Sequence, residues 1–209
     1  MDYIYLHGFA SSPNSAKAQY FRSAFAELAI DLKIPDLNQG NFSKLTIKRQ
    51  IEQVLAQFPP SPTPVTLIGS SLGGLTAALI AEKSLQVQRL VLLAPALEFL
   101  SHWLPQIGEA KLKQWQAEQQ LMVYHYAEKR SLPLNYNFVI DAANYQDKLL
   151  LRPVSTLILH GCHDEVIPIT ASRNFASSRP WVQLIELNSN HALADVITQW
   201  QQIKSFIIP

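Results

Sequence analysis

Glycine is scarce in this chain, with 7 residues in 209, about 3% where about 7% is ordinary. Each glycine therefore needs a reason. Cysteine is scarcer still: Cys162 stands alone, so no internal disulfide staples the fold, and a reducing, cytoplasmic setting is expected. Charge is thin as well, since Asp, Glu, Lys and Arg make up 16% against a usual share of about 25%. Lys+Arg 17 against Asp+Glu 16 leaves a formal net charge of +1. No run of like charges could neutralise several phosphates together, so nucleic acid is not an expected partner. Long apolar runs are also missing. The longest, Leu90 to Leu97, is broken by Pro95 and falls far short of the roughly 20 residues of a bilayer span. Met1 to His7 has neither a basic n-region nor a long apolar h-region, so no leader or membrane span is expected.

Hydrophobic residues, by contrast, make up 48% of the chain, which excludes disorder from low hydrophobicity. The length suits one domain over 1–209. Short, largely apolar runs lie at Tyr3 to Leu6, Val65 to Ile68, Leu90 to Ala94, Val154 to Leu159 and Val182 to Leu187, with a weaker one at Leu32 to Ile34. Such runs read as strands buried on both faces. Between them stand helical stripes: Tyr20, Phe21, Ala24, Phe25 and Leu28; Leu45, Ile47, Ile51, Val54 and Leu55; Leu75, Ala78 and Leu79. Ser15 and Ser43 are the expected N-caps of the first two, and a last helix is expected from Ala192 to Phe206. This alternation describes an α/β fold, a mostly parallel sheet with helices on both faces. From Pro95 to Pro153 the rhythm stops. That interval shows helical patterns, no convincing strand and many aromatics, so a helical cap insertion is expected at about 95–153.

After the run Val65 to Ile68 comes Gly69-Ser70-Ser71-Leu72-Gly73-Gly74, followed directly by an Ala/Leu-rich helix. This is G-x-S-x-G in the strand-turn-helix setting that gives the motif meaning. The turn lifts the Ser71 hydroxyl above the sheet, and Gly69 and Gly73 are expected where side chains would collide. A serine hydroxyl is a weak nucleophile until a histidine, held by a carboxylate, takes its proton. His191 follows the last strand, and Asp164 follows Val154 to Leu159. Both therefore sit at carboxyl ends of parallel strands, where ligands bind. Glu98 and Asp141 remain rival acids. The oxyanion of a tetrahedral intermediate needs two amide donors. Leu72 N–H is one expected donor, and Phe9 N–H, in the loop His7-Gly8-Phe9 after the first strand, is the other.

The remaining histidines are less specific. His7 either braces its own loop or is structural. His160 and His163 flank Asp164 with Cys162 between them, but the spacing matches no usual zinc pattern, so no metal or other cofactor is expected. His102 and His125 read as surface or satisfied cap histidines.

The residues Leu6-His7-Gly8-Phe9, Ser11-Ser12-Pro13-x-Ser15-x-Lys17-Ala18, Gly69-x-Ser71-x-Gly73-Gly74, Gly161-x-x-Asp164-x-x-x-Pro168 and Asn190-His191 resemble the α/β-hydrolase superfamily. More narrowly, they resemble its small bacterial YqiA-type esterases. The resemblance implies a six-stranded α/β-hydrolase fold. It also implies a carboxylesterase or thioesterase-like serine hydrolase, with Ser71, Asp164 and His191 at the triad positions and Phe9 and Leu72 at the oxyanion positions. The nearly neutral, aromatic cap suggests a small-molecule ester or thioester substrate with an apolar acyl group. A C–C bond hydrolase or small-substrate peptidase on the same triad, or a non-catalytic ligand-binding module, are the alternatives. Nothing in the sequence marks an oligomeric state.

Overall fold

Strands apolar on both sides need helices over both faces, and alternate residues of the first strand enter two separate clusters. The computed structural model describes residues 1–208. The first half contains β1 (Asp2–Leu6), α1 (Ala16–Ala26), β2 (Leu32–Lys33), α2 (Ile47–Leu55), β3 (Val65–Ser70), α3 (Leu72–Lys83) and β4 (Val87–Leu93). An inserted segment follows, with α4 (Phe99–Ile107), α5 (Glu109–Glu118), β5 (Gln120–His125), β6 (Arg130–Asn135) and α6 (Asn137–Ala142). The chain then returns through β7 (Ser155–Gly161), α7 (Ile169–Ser177), β8 (Val182–Leu187) and α8 (Val196–Ile207). Tyr3 and Tyr5 of β1 pack with Phe21 and Phe25 of α1 and Ile203 and Ile207 of α8. Ile4 and Leu6 enter the opposite cluster with Ile51 and Val54 of α2 and Leu75 and Leu79 of α3.

The six-stranded sheet runs β2-β1-β3-β4-β7-β8, and its pairings are parallel. From β1 the chain crosses over to β2 at one edge, then passes back to β3 and proceeds the other way. The direction of winding therefore reverses between β1 and β3. At such a switch point the loops leaving the two strands part, and a crevice opens at their carboxyl ends.

Local signals explain most boundaries and correct several expectations. Ser15 caps α1 as expected, accepting from Ala18 N–H at 3.3 Å. The cap of α2 is Thr46 rather than Ser43: Thr46 Oγ1 accepts from Arg49 N–H at 3.1 Å, while the Ser43 hydroxyl donates to Asn41 Oδ1 at 2.7 Å. The last helix begins at Val196, not Ala192, because Asp195 is its cap and accepts from Thr198 N–H at 3.1 Å. Helix α7 has no counterpart in the sequence reading.

The largest correction is in the insert, which is not purely helical. Strands β5 and β6 form an antiparallel hairpin within it. The hairpin turn contains no glycine, asparagine or aspartate, and Lys129 takes the left-handed position at φ +52°. Pro133 also interrupts the strand pattern, which is tolerable only in an edge strand, so the usual hairpin signals are absent. Trp115 Nε1–H of α5 donates to Leu134 O of β6 at 2.9 Å, and Tyr126 N–H donates to Ala10 O at 2.9 Å. The second bond ties the hairpin to the loop after β1. Among the described residues no helix is long and apolar enough to cross a membrane.

Candidate active site

Ser71, between β3 and α3, has φ +52° and ψ −119°, a conformation that costs an L-residue on the order of 1–3 kcal/mol. Its peptide groups are fixed on both sides. The Ser71 N–H donates to Leu93 O at 2.9 Å, and its carbonyl accepts from Gly74, Leu75 and Ala96 N–H at 2.9, 3.2 and 3.0 Å. A Cβ on Gly69 would overlap the Gly73 carbonyl, and one on Gly73 would overlap the carbonyls of Leu6 and His7. The expected collision thus accounts for Gly69. Gly73 has a different constraint, the close approach of α3 to the end of β1.

Asp164 and His191, far apart in sequence, meet Ser71. The Ser71 hydroxyl lies 3.1 Å from His191 Nε2, and His191 Nδ1 lies 2.7 Å from Asp164 Oδ2. A carboxylate only accepts, so Nδ1 carries the proton and Nε2 is left free to accept from the serine. The Asp164 side chain is 0% exposed and that of His191 20%. The acid is sealed away while one imidazole edge reaches solvent. Cys162 N–H donates to Leu187 O and His163 N–H to Ser189 O, at 2.8 and 3.0 Å, which joins the acid loop to the histidine loop. A Cβ on Gly161 would overlap the Ser189 and Asn190 carbonyls. The sequence reading gave Gly161 no such role.

Asp164 Oδ1 accepts from Val166 and Ile167 N–H at 2.9 and 2.8 Å. Its Oδ2 lies 3.1 Å from His160 Nε2 as well as facing His191. Burial alone would raise the Asp164 pKa. Hydrogen bonds from His160, His191 and the Ile167 amide outweigh it and hold the carboxyl well below the usual carboxylate range. His160 is the contact that sequence reasoning missed. Only its position four residues before Asp164 hinted at it.

The loop that carries Phe9 approaches Ser71, and Leu72 follows Ser71 directly in the chain. Leu72 is the first residue of α3, where an amide has no partner within the helix, and neither Leu72 N–H nor Phe9 N–H finds an acceptor among the described residues. A Cβ on Gly8 would touch the Ser71 Cβ at 3.4 Å, an ordinary contact. Gly8 thus places its loop against the serine without being strictly demanded by sterics. His7 is 1% exposed. Its Nδ1–H donates to Gly8 O at 2.9 Å, and its Nε2 accepts from Leu37 N–H at 3.0 Å. Both nitrogens are spoken for in the neutral ring.

The rival acids lie elsewhere. Glu98 opens α4 and faces His102 at 3.4 Å, while Asp141 accepts from Lys48 N–H at 3.0 Å. His163 bonds Asn188 Oδ1 at 3.1 Å, and Cys162 lies beside Glu186. His125 is buried against the Phe42 ring, and burial lowers its pKa. The ring of Phe9 points into the insert, with Phe42, Trp103 and Phe138 each centred 5.5 Å away. A cleft of about 780 Å³ is lined by Leu75, one turn beyond Ser71, with Leu97, Phe99, Phe175, Asp147 and Arg179. Ser71, Asp164 and His191 are not among its walls.

Residues 2–208 match the model of a family described as Uncharacterised protein family (UPF0227). The chain belongs to the UPF0227 family. No curated protein matches the sequence. Among solved structures, a putative hydrolase from Agrobacterium vitis S4 is similar, with 22% identity and a TM-score of 0.83 over 98% of this chain and 87% of that one. Alpha/beta hydrolase domain-containing protein 10 from mouse shares 23% identity at TM-score 0.80, over 99% and 89% of the two chains. Est1E from Butyrivibrio proteoclasticus, with ferulic acid bound, shares 19% at TM-score 0.79, over 97% and 86%. These likenesses establish the α/β-hydrolase fold for this UPF0227 member.

Proposed function

We propose that this UPF0227 protein is a serine hydrolase that cleaves a carboxylic ester or acyl thioester through an acyl-enzyme on Ser71. What carries the reading is the unbroken hydrogen-bonded line from Ser71 Oγ through His191 to the enclosed Asp164 carboxylate. Ser71 Oγ bonds to the substrate carbonyl carbon as its proton passes to His191 Nε2. The carbonyl oxygen becomes an oxyanion, met by the N–H groups of Phe9 and Leu72. Its collapse breaks the bond to the alkoxide or thiolate, which takes the proton from His191. Water then attacks the acyl-enzyme with His191 again as base, releasing a carboxylic acid and restoring Ser71. Asp164 stays ionised throughout, holding the imidazole in its Nδ1–H form. The chemistry uses only side chains and amides of this chain.

The aromatic cluster around Phe9, in the loop that lies against Ser71, favours an apolar acyl group. A similar fold that holds ferulic acid, itself a carboxylic acid, supports the same substrate class. The deciding experiment is labelling with a fluorophosphonate probe, wild type beside Ser71→Ala, followed by peptide mapping. An adduct on Ser71 that the variant lacks is expected, and a folded wild-type protein that takes no label there refutes the reading. Parallel turnover of 4-nitrophenyl esters and acyl thioesters assigns the leaving group.

A further inference from the structure

His160 ends as one of the best-enclosed polar side chains of the fold, 0% exposed, and every polar neighbour of its ring can be named. Nε2 lies 3.0 Å from Ile167 O and 3.1 Å from Asp164 Oδ2. Both are acceptors, so Nε2 must carry a proton. Nδ1 lies 2.7 Å from the hydroxyl of Ser172, itself 0% exposed in α7, and in the neutral ring it accepts from that hydroxyl. A histidine needed only to fill the core would be satisfied by Ile167 and Ser172. The third contact falls on the oxygen that also serves His191, and packing does not require it.

We propose that His160 is a positioning residue of this site: its Nε2–H steadies the Asp164 carboxylate and shares Oδ2 with His191. The line of polar contacts then runs Ser71, His191, Asp164, His160, Ser172, and joins β7, the acid loop and α7 to Ser71. The inference rests on the role of Ser71 given above. Its chemical consequence concerns base strength. A carboxylate oxygen that faces two imidazoles offers less negative charge to each, so His160 restrains how firmly His191 holds a proton. The other ionisable groups nearby are engaged elsewhere. Glu186 of β8 is paired with Arg173 of α7 at 2.6 Å and has Cys162 beside it, and His163 bonds Asn188. Glu165 is exposed on the acid loop.

The test is the rate of fluorophosphonate reaction at Ser71 as a function of pH, for wild type, His160→Leu, His160→Gln and Ser172→Ala, with a melting curve for each. Losing a close N–H contact with a charged group should slow His160→Leu about tenfold at neutral pH. Its acidic limb should move to higher pH, because His191 then has Oδ2 to itself. His160→Gln keeps a donor near the Nε2 position and should recover most of the rate. Ser172→Ala should shift the limb the same way by less. If His160→Leu does not fold, the other two variants carry the test. The proposal is overturned by a folded His160→Leu with wild-type rate and limb, by equal losses in Leu and Gln with an unmoved limb, or, where Leu fails to fold, by an unshifted limb in Ser172→Ala. A wild type that takes no label at any pH instead overturns the Ser71 reading, and this inference with it.

Discussion

Replacing His7 by leucine should lower kcat about 10² without a matching change in KM, although His7 touches neither Ser71 nor His191. The magnitude follows from one peptide group. Gly8 C=O and Phe9 N–H belong to the same planar unit and point in opposite directions. The His7 Nδ1–H bond at 2.9 Å fixes the oxygen, and so aims the amide. Removing an oxyanion donor altogether costs about 10²–10³ in kcat. Loss of His7 frees the plane without deleting the N–H, and the flexible Gly8 beside it lets the plane turn, so the lower end applies. The same substitution leaves Leu37 N–H without its acceptor, a buried loss of about 1–3 kcal/mol. Steady-state turnover of a 4-nitrophenyl ester, together with a thermal melt, separates the two effects. A variant whose Tm falls by several degrees while kcat holds would show that His7 only braces the core, and the peptide-plane argument would fail.

Three further outcomes are expected. Asp164→Asn should reduce kcat by about 10⁴, as wrong-tautomer substitutions do in such triads, whereas Glu98→Gln should leave it nearly unchanged; a reversed ranking in the same turnover assay would reassign the acid. Gly161→Ala should lower kcat about 10², since displacements near 1 Å carry costs of that size and the new Cβ would push the Ser189 and Asn190 carbonyls, and His191 with them, off the acid loop; a crystal structure with an undisturbed loop would contradict this. The third outcome concerns acid. Because the folded Asp164 pKa is depressed, the unfolded chain binds the extra proton first. The resulting stability is complete above the unfolded value of about 3.9 and is lost as pH falls below it. Denaturant titrations from pH 6 to 2 should therefore show a shallower acid loss in Asp164→Asn than in wild type, and parallel curves would refute the linkage.

The inner strands were legible because they are buried on both faces and so read as nearly apolar runs, Leu90 to Ala94 most clearly. The meeting of Ser71, Asp164 and His191 was legible because a parallel sheet sends all its carboxyl ends to one edge. What escaped had no local signature. The β5–β6 hairpin turns at Lys129, where glycine or asparagine would have announced it. Ser43 was the expected cap of α2, but Leu45 is extended, with ψ 133°, and the helix starts only after Thr46. The bonds of His160 depend on where α7 places Ser172, and that helix was not foreseen. Spacing could show that His160 lay near the acid but not which way its ring faced.

The placement of Phe9 bears on how this fold can be re-engineered. Its loop lies against Ser71 while its ring is locked among Phe42, Trp103 and Phe138, and the neighbouring Ala10 carbonyl is held by Tyr126 of the hairpin turn. The segment between β4 and β7 is therefore not an interchangeable module. Grafting another insert onto this sheet would remove the partners that set the loop proposed to meet the oxyanion, so specificity could not be transplanted without re-tuning the backbone beside Ser71.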